Sequence, residues 1–95
     1  MALKMTIQSD IGQEFQNAYI RIDEYRCDTN ENISARVRAY ISRDLMKNGA
    51  NFIGGSEDII SLKGDYSDLA INIKKQIYEY MKTLAKYSNA IDILE

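Results

Sequence analysis

One stretch of the chain comes close to a phosphate-binding loop. Residues 49–56 read G-x-x-x-x-G-G-S, and a P-loop of this kind cradles phosphates with backbone N–H groups and a lysine. Gly55 stands where the lysine belongs, and the following sequence indicates neither the helix nor the βαβ unit of a nucleotide site. We therefore interpret these glycines as a turn between two strands.

A second stretch matches the opening of a calcium-binding loop. Asp28, Asn30 and Asn32 alternate as the first oxygen ligands of such a loop do. Ile33 and Ala39 stand where the loop needs its glycine and its bidentate glutamate, and both fall inside a strand pattern. A hairpin turn rich in Asx residues accounts better for this spacing, so we predict no metal site.

The remaining reactive side chains form no catalytic set. Cys27 is the only cysteine and the chain has no histidine, so no intramolecular disulfide can form and a thiol nucleophile would lack its usual base. We expect Cys27 to be a small buried or half-buried residue. The acid pairs Asp23–Glu24 and Glu57–Asp58 are adjacent in strand patterns, where neighbouring side chains face opposite ways. The sequence therefore predicts no enzyme and no cofactor.

The composition is that of one ordinary globular domain spanning residues 1–95. Apolar residues make up 45% of the chain, charged residues make up 27%, and the net charge is −2. Because affinity for phosphates depends on a surplus of Lys and Arg, we do not expect a nucleic-acid partner. We find no signal-peptide pattern and no apolar run near the ~20 residues that a membrane span needs, so we expect no membrane partner.

Residues 33–42 carry the clearest structural pattern in the chain. Apolar and polar residues alternate there without a break, which predicts a half-buried antiparallel strand. An outward face with basic and aromatic side chains resembles the platforms that bind single-stranded RNA. Pairing of these side chains with Asp23 or Glu24, or simple solvation, is the interpretation we favour. Three residues of this face are candidates for a protein interface: Arg36, Arg38 and Tyr40.

Weaker alternation predicts three further strands. Residues 3–7 indicate a first strand, and residues 59–63 indicate a last one with Ile60 and Leu62 on one face. A strand that begins at Ala18 pairs with the clear strand in a hairpin over 18–42, with a bulge near Asp23. The segments between the strands are predicted as a loop over 9–17 and a helical turn over 44–47 that Asn48 and Gly49 end.

The C-terminal part predicts one amphipathic helix over about 67–88. Asp65 with Asp68, or Ser67, is expected to cap its first turn. Residues 91–94 form an apolar tail that needs cover. The helical wheel places seven apolar residues in one arc of about 120°, namely Leu69, Ile73, Ile77, Tyr80, Met81, Leu84 and Tyr87.

The opposite side of this helix predicts a second candidate interface. Ile71 and Tyr78 lie seven residues apart on it, with Lys82 beside them. A large aromatic flanked by lysines is typical of a docking face. On this interpretation Tyr78→Asp disrupts assembly and leaves the circular dichroism nearly unchanged. The whole pattern indicates an α+β fold in which a small antiparallel sheet of about four strands packs against one C-terminal helix.

Three segments together resemble small proteins of the virion-structural, tail-side gene modules of tailed bacteriophages. These segments are residues 17–22 (NAYIRI), residues 37–43 (VRAYISR) and residues 77–84 (IYEYMKTL). The resemblance covers most of the chain but rests on fold-like patterns, so it transfers no functional residue. It implies a structural or assembly role in or near the tail or baseplate, within the virion.

The sequence thus predicts a non-enzymatic protein–protein interaction subunit of the phage tail or baseplate. Its expected partners are further copies of itself and a larger phage structural protein. Three alternatives remain open: a tail-assembly chaperone that is absent from the virion, a small nucleic-acid-binding regulator, and a regulator directed at a host protein.

Overall fold

The computed structural model describes residues 2–67 and 69–93, and these form an α+β domain. The described elements are, in chain order, β1 (Ala2–Gln8), β2 (Glu14–Cys27), β3 (Asn32–Tyr40), α1 (Arg43–Lys47), β4 (Asp58–Lys63), α2 (Ile73–Lys82), a 3₁₀ turn (Ala85–Tyr87) and β5 (Ile91–Ile93).

The described strands form one antiparallel sheet in the order β4-β3-β2-β1-β5. The predicted fold class is confirmed, but the sheet has five strands where the sequence predicted about four. The additional strand comes from the apolar tail, since Ile91 and Ile93 pair with Lys4 and Ala2 of β1. The first strand thus pairs with the backbone of the tail but does not cover it, because Ile91 remains 59% exposed. Leu94 lies outside the described residues.

The predicted hairpin is present and longer than expected. β2 begins at Glu14, because Phe15 pairs with Ile7 of β1, so the second half of the predicted loop 9–17 is strand. The register between β2 and β3 shifts between Ile22 and Glu24, which confirms the predicted bulge.

The short helix α1 also follows its prediction. Ser42 caps it by accepting a hydrogen bond from the N–H of Leu45 at 3.1 Å. Gly49 then ends the segment with a φ of 86°, a conformation that glycine adopts without steric cost.

The main core lies between the inner face of the sheet and α2. β3 contributes its alternate residues Ile33, Ala35, Val37 and Ala39, each at most 2% exposed. α2 and the 3₁₀ turn close the core from the other side with Ile77, Tyr78, Met81 and Tyr87.

The long helix begins later than predicted. α2 is capped by Asn72, whose side chain accepts from the N–H of Lys75 at 2.9 Å, and not by Asp65 or Ser67. Asp65 instead closes a local turn by accepting from the N–H of Ser67 at 3.0 Å. Leu69, expected in the apolar arc, precedes the helix and is 98% exposed. Asp68 lies outside the described residues.

The buried face of α2 is also rotated relative to the prediction. Tyr80 is exposed, whereas Tyr78 is only 2% exposed and belongs to the core. The hydroxyl of Tyr78 accepts a hydrogen bond from the N–H of Ile22 at 2.9 Å. Among the described residues, the last pair of β1 with β2 is Leu3 with Ile20, and this hydroxyl bonds β2 beyond that pair. The predicted outward orientation of Tyr78 is therefore wrong.

Candidate interaction surfaces

The outer face of the sheet carries charged side chains that bond to one another. Asp23, at the bulge of β2, accepts from the hydroxyl of Tyr40 at 2.7 Å and lies 3.1 Å from Nε of Arg21. It also lies 3.6 Å from Nη1 of Arg38. Burial and the neighbouring Asp23 carboxylate raise the pKa of Tyr40 above its ordinary value.

A second acid completes the pairing of Arg38. Glu57, just before β4, accepts from Arg38 at 2.9 Å, and this bond raises the pKa of the guanidinium. The guanidinium also lies 4.3 Å from the centre of the Phe52 ring, in cation–π contact. Arg38 is therefore held on three sides.

Arg36 follows the same pattern one pair further along the hairpin. It donates to Glu24 at 3.2 Å, and Glu24 also lies 3.5 Å from Nε of Arg26. The pairing of this face with Asp23 and Glu24, favoured from the sequence, is confirmed. We call these residues the outer-face network: Arg21, Asp23, Glu24, Arg26, Arg36, Arg38, Tyr40 and Glu57.

The second candidate interface, on the helix, does not exist as one surface. Tyr78 is in the core, as described above, and Ile71 precedes α2 at an exposed position. Lys82 donates to Glu79 at 3.2 Å and to Asp92 at 3.1 Å, so it ties the end of α2 to β5. These two bonds, the one to Asp92 above all, raise the pKa of Lys82. The structure therefore separates the three residues.

The two motif-like stretches act as turns. Asp28 accepts from the N–H groups of Asn30 at 2.8 Å and Asn32 at 2.9 Å, and these bonds lower the pKa of its carboxyl. This is the predicted Asx turn of the hairpin. Within residues 2–67 and 69–93, no three Cys, Asp or Glu side chains are grouped so as to hold a metal ion.

The glycine-rich stretch packs against the first turn of the sheet. The N–H of Asp10 donates to the carbonyl of Gly54 at 3.0 Å. Gly55 has a φ of 79°, and a Cβ there would lie 3.2 Å from the backbone nitrogen of Asp10. Close approach of two backbones therefore explains Gly55, in agreement with the predicted turn.

Cys27 lies at the distal end of the hairpin and is exposed, so the expectation that it is at least half buried is wrong. The segment that precedes α2 lies beside it, since Cys27, Tyr66 and Ile71 line one shallow cavity. Tyr66 lies nearby and donates to the carbonyl of Asn32 at 3.3 Å. Burial, followed by the neighbouring Cys27, raises the pKa of Tyr66 to about 12.

At the opposite end of the sheet is an apolar groove that the sequence did not predict. Its apolar lining is Ile11, Phe15, Ile41 and Phe52, together with Ile53. Ile11 is 83% exposed and Ile41 is 48% exposed. The only sequence signal was an isoleucine within the otherwise polar turn 9–13.

The last candidate surface is the edge of β4, which is the terminal strand. β4 is the terminal strand of the described sheet and pairs only with β3 there. Its alternate residues Ile59, Ser61 and Lys63 are all exposed. We call the edge of β4 that faces away from β3 the free edge.

Comparison with known proteins leaves these surfaces to be interpreted on their own geometry. No protein-family model matches the chain, and neither a curated protein nor a solved structure is significantly similar to it. None of the described helices is both long enough and apolar enough to pass through a lipid bilayer.

Proposed function

We propose that the chain is a non-enzymatic protein–protein interaction subunit that acts within an oligomeric assembly. The free edge carries this proposal, because the terminal strand of a sheet offers unpaired backbone groups to another chain. The charged side chains of the outer-face network bind one another instead. Arg36, Arg38 and Tyr40 are therefore better explained as supports of the sheet than as contacts to a partner.

We further propose that the assembly is part of a bacteriophage virion, in the tail or baseplate region. The support for this location is the resemblance of residues 17–22, 37–43 and 77–84 to tail-module proteins. In that setting the partners are copies of the chain and a larger structural protein. A virion component of this kind needs no catalytic group and no cofactor.

The virion proposal is tested on particles of the phage that encodes the chain. After gradient purification and chemical cross-linking, mass spectrometry should find the chain in the particles. Its cross-linked peptides should join it to itself or to a larger structural protein. Non-specific adsorption is controlled by adding an isotope-labelled copy of the chain to the lysate before purification, since adsorbed protein would then carry the label.

Two outcomes would contradict this proposal in different ways. Presence of the chain in infected cells but not in purified particles would favour a tail-assembly chaperone. Turnover of a small metabolite by the isolated chain would overturn the non-enzymatic role itself.

A further inference from the structure

The hydrogen-bonding pattern of β4 fixes which backbone groups point away from the sheet. Ile60 pairs with Ala35, and the N–H of Gly64 donates to the carbonyl of Glu31 at 2.7 Å, so even-numbered residues bond to β3. Along an antiparallel strand, successive residues point their backbone groups to alternate sides. The N–H and C=O groups of Ile59, Ser61 and Lys63 therefore point outward.

One of these outward groups is bonded in a way that supports this orientation. The N–H of Ile59 donates to the side chain of the preceding residue, Asp58, at 2.9 Å, and not to β3. Among the described residues, no other hydrogen bond to an outward backbone group of β4 is found. Apart from the N–H of Ile59, the outward backbone groups of β4 are therefore available to another strand.

The free edge also lacks the devices that usually prevent strand addition. Natural edge strands are protected by prolines, bulges, central charges or short length. Residues 59–62 are uncharged, contain no proline, and pair with β3 without a register shift. Ile59 is 57% exposed beside this edge. At the opposite edge of the described sheet, β5 has only three residues and carries the charged Asp92 at its centre.

The charges at the two ends of β4 select the occupant. Glu57 and Asp58 stand at its start, where they also accept hydrogen bonds from Arg38 at 2.9 Å and Tyr87 at 3.0 Å, and Lys63 stands at its end. Antiparallel pairing with a second copy places acid against base at both ends, whereas parallel pairing places like charges together. We propose that β4 pairs antiparallel with β4 of a second copy across a two-fold axis, so that two sheets join into one continuous sheet. This inference rests on the proposed function and specifies its first partner.

The pleat of the sheet restricts the register of this pair. Residues that face each other must lie on the same side of the joined sheet. With Ile60 on the two-fold axis, Ile59 faces Ser61 of the second copy and Glu57 faces Lys63 of the second copy. The outward backbone groups of Ile59 and Ser61 then bond across the axis, and the N–H of Ile59 exchanges the Asp58 carboxylate for a carbonyl.

The test compares Ser61→Pro with Ser61→Thr. Proline removes the outward N–H that the dimer needs, and an edge strand tolerates proline where its N–H faces solvent. Threonine keeps the N–H and the hydroxyl. Light scattering over a range of concentrations should give about twice the chain mass of 10.9 kDa for the wild type and for Ser61→Thr. Ser61→Pro should raise the dissociation constant about tenfold or more, with far-ultraviolet circular dichroism unchanged.

A measurement on the wild type covers the case in which Ser61→Pro does not fold. Amide hydrogen exchange at Ser61 and Lys63 should slow as the protein concentration rises, while exchange at Ile11 should not change. Exchange at Ser61 and Lys63 that does not change with protein concentration would overturn the inference. A dimer that Ser61→Pro leaves intact would also overturn it. A wild-type chain that stays monomeric in solution, but is found cross-linked to a larger protein in virions, would overturn only the β4 pairing and leave the proposed function standing.

Discussion

The two faces of β3 are built from the same strand and stabilised by different forces. Its inner side chains, Ile33, Ala35, Val37 and Ala39, are buried beneath α2. Three of its outer side chains, Arg36, Arg38 and Tyr40, belong to the outer-face network, where each charge has an opposite charge nearby. Full burial of an Ile or Val is worth about 1.5–3 kcal/mol, whereas an exposed ion pair contributes about 0–1 kcal/mol. The inner face therefore supplies most of the stability.

Two tyrosines sharpen this contrast. Tyr78 fills the inner core and accepts a hydrogen bond from a backbone N–H of β2. Tyr40, on the outer face, donates to the Asp23 carboxylate and packs in a small second cluster with Ala2 and Tyr19. Both phenols bond to β2, but only Tyr78 links a helix to the sheet. Tyr78 therefore joins the core packing of α2 to a hydrogen bond with a strand far away in the sequence.

The largest expected effect is that of Tyr78→Asp. A carboxylate at this position would be buried in the core, and the ring would leave a cavity, so we expect a loss of about 4 kcal/mol or more. For a domain of this size such a loss is a large part of the total stability. Urea denaturation followed by circular dichroism should show a largely unfolded protein. This expectation replaces the sequence-based one, in which Tyr78→Asp left the fold intact.

Tyr78→Phe is the matched control for that substitution. It keeps the ring in the core and removes the hydroxyl that accepts from the N–H of Ile22, so we expect a loss of about 1–3 kcal/mol. Ile71→Asp, at the exposed position before α2, should change stability by less than about 0.5 kcal/mol. A folded, stable Tyr78→Asp protein would contradict the assignment of Tyr78 to the core.

Local sequence patterns predicted the strands because alternation is a property of neighbouring residues. β3, the bulge beside Asp23, α1 and β4 all follow from side chains within a few positions of one another. β5 could not be predicted in the same way, because three residues form a strand only when an unpaired edge such as that of β1 is available. The groove around Ile11 depends likewise on a turn meeting the distant residues Ile41 and Phe52.

The helix face was mispredicted for a physical reason. A helical wheel treats all apolar residues alike, and Tyr78 and Tyr80 differ only in the direction in which they project. One contact of the buried ring is distant in sequence, because the N–H of Ile22, 56 residues before Tyr78, donates to the Tyr78 hydroxyl at 2.9 Å. The rotated face of α2 buries Tyr78 and satisfies that group. Nothing within the helix sequence contains this information.

The outer face is tested by Asp23→Asn, with an intermediate expected effect. The Asp23 side chain is only 13% exposed and contacts Tyr40, Arg21 and Arg38. An amide keeps one acceptor but loses the charge that balances two arginines, so we expect a loss of about 1–2 kcal/mol. Urea denaturation should measure this loss of stability, because urea is uncharged and does not screen the ion pairs.

Glu24→Gln provides the comparison within the same network. Glu24 is more exposed than Asp23 and pairs with Arg36 and Arg26, so its loss should cost less than about 0.5 kcal/mol. Raising the salt concentration should reduce both differences, because screening weakens the ion pairs in the unsubstituted protein. A cost for Asp23→Asn as large as that for Tyr78→Asp would contradict the division of stability between the two faces.

A pH-dependent effect also distinguishes the two faces. Tyr87, on the inner face, is 2% exposed and donates to Asp58 at 3.0 Å. Burial, followed by the Asp58 charge, raises the pKa of this phenol above its ordinary value of 10.0. A group whose pKa is higher in the folded state contributes its stability below the unfolded pKa and loses it as the pH rises. The stability of the protein should therefore fall above pH ~10, by up to about 1.4 kcal/mol per pH unit from this residue.

Tyr87→Phe should cost about 1 kcal/mol near pH 8 through the lost hydrogen bond, and its stability should fall less steeply in alkali. The difference between the two proteins, measured by urea denaturation from pH 8 to 11, should then shrink above pH ~10 and change sign if the loss continues. Tyr40→Phe should show the same trend more weakly, because its hydroxyl is less deeply buried. A difference that stays constant with pH would mean that Tyr87 ionises equally easily in both states. The hydroxyl of Tyr87 would then not be enclosed by the core, and the inner face would be open to water at that end.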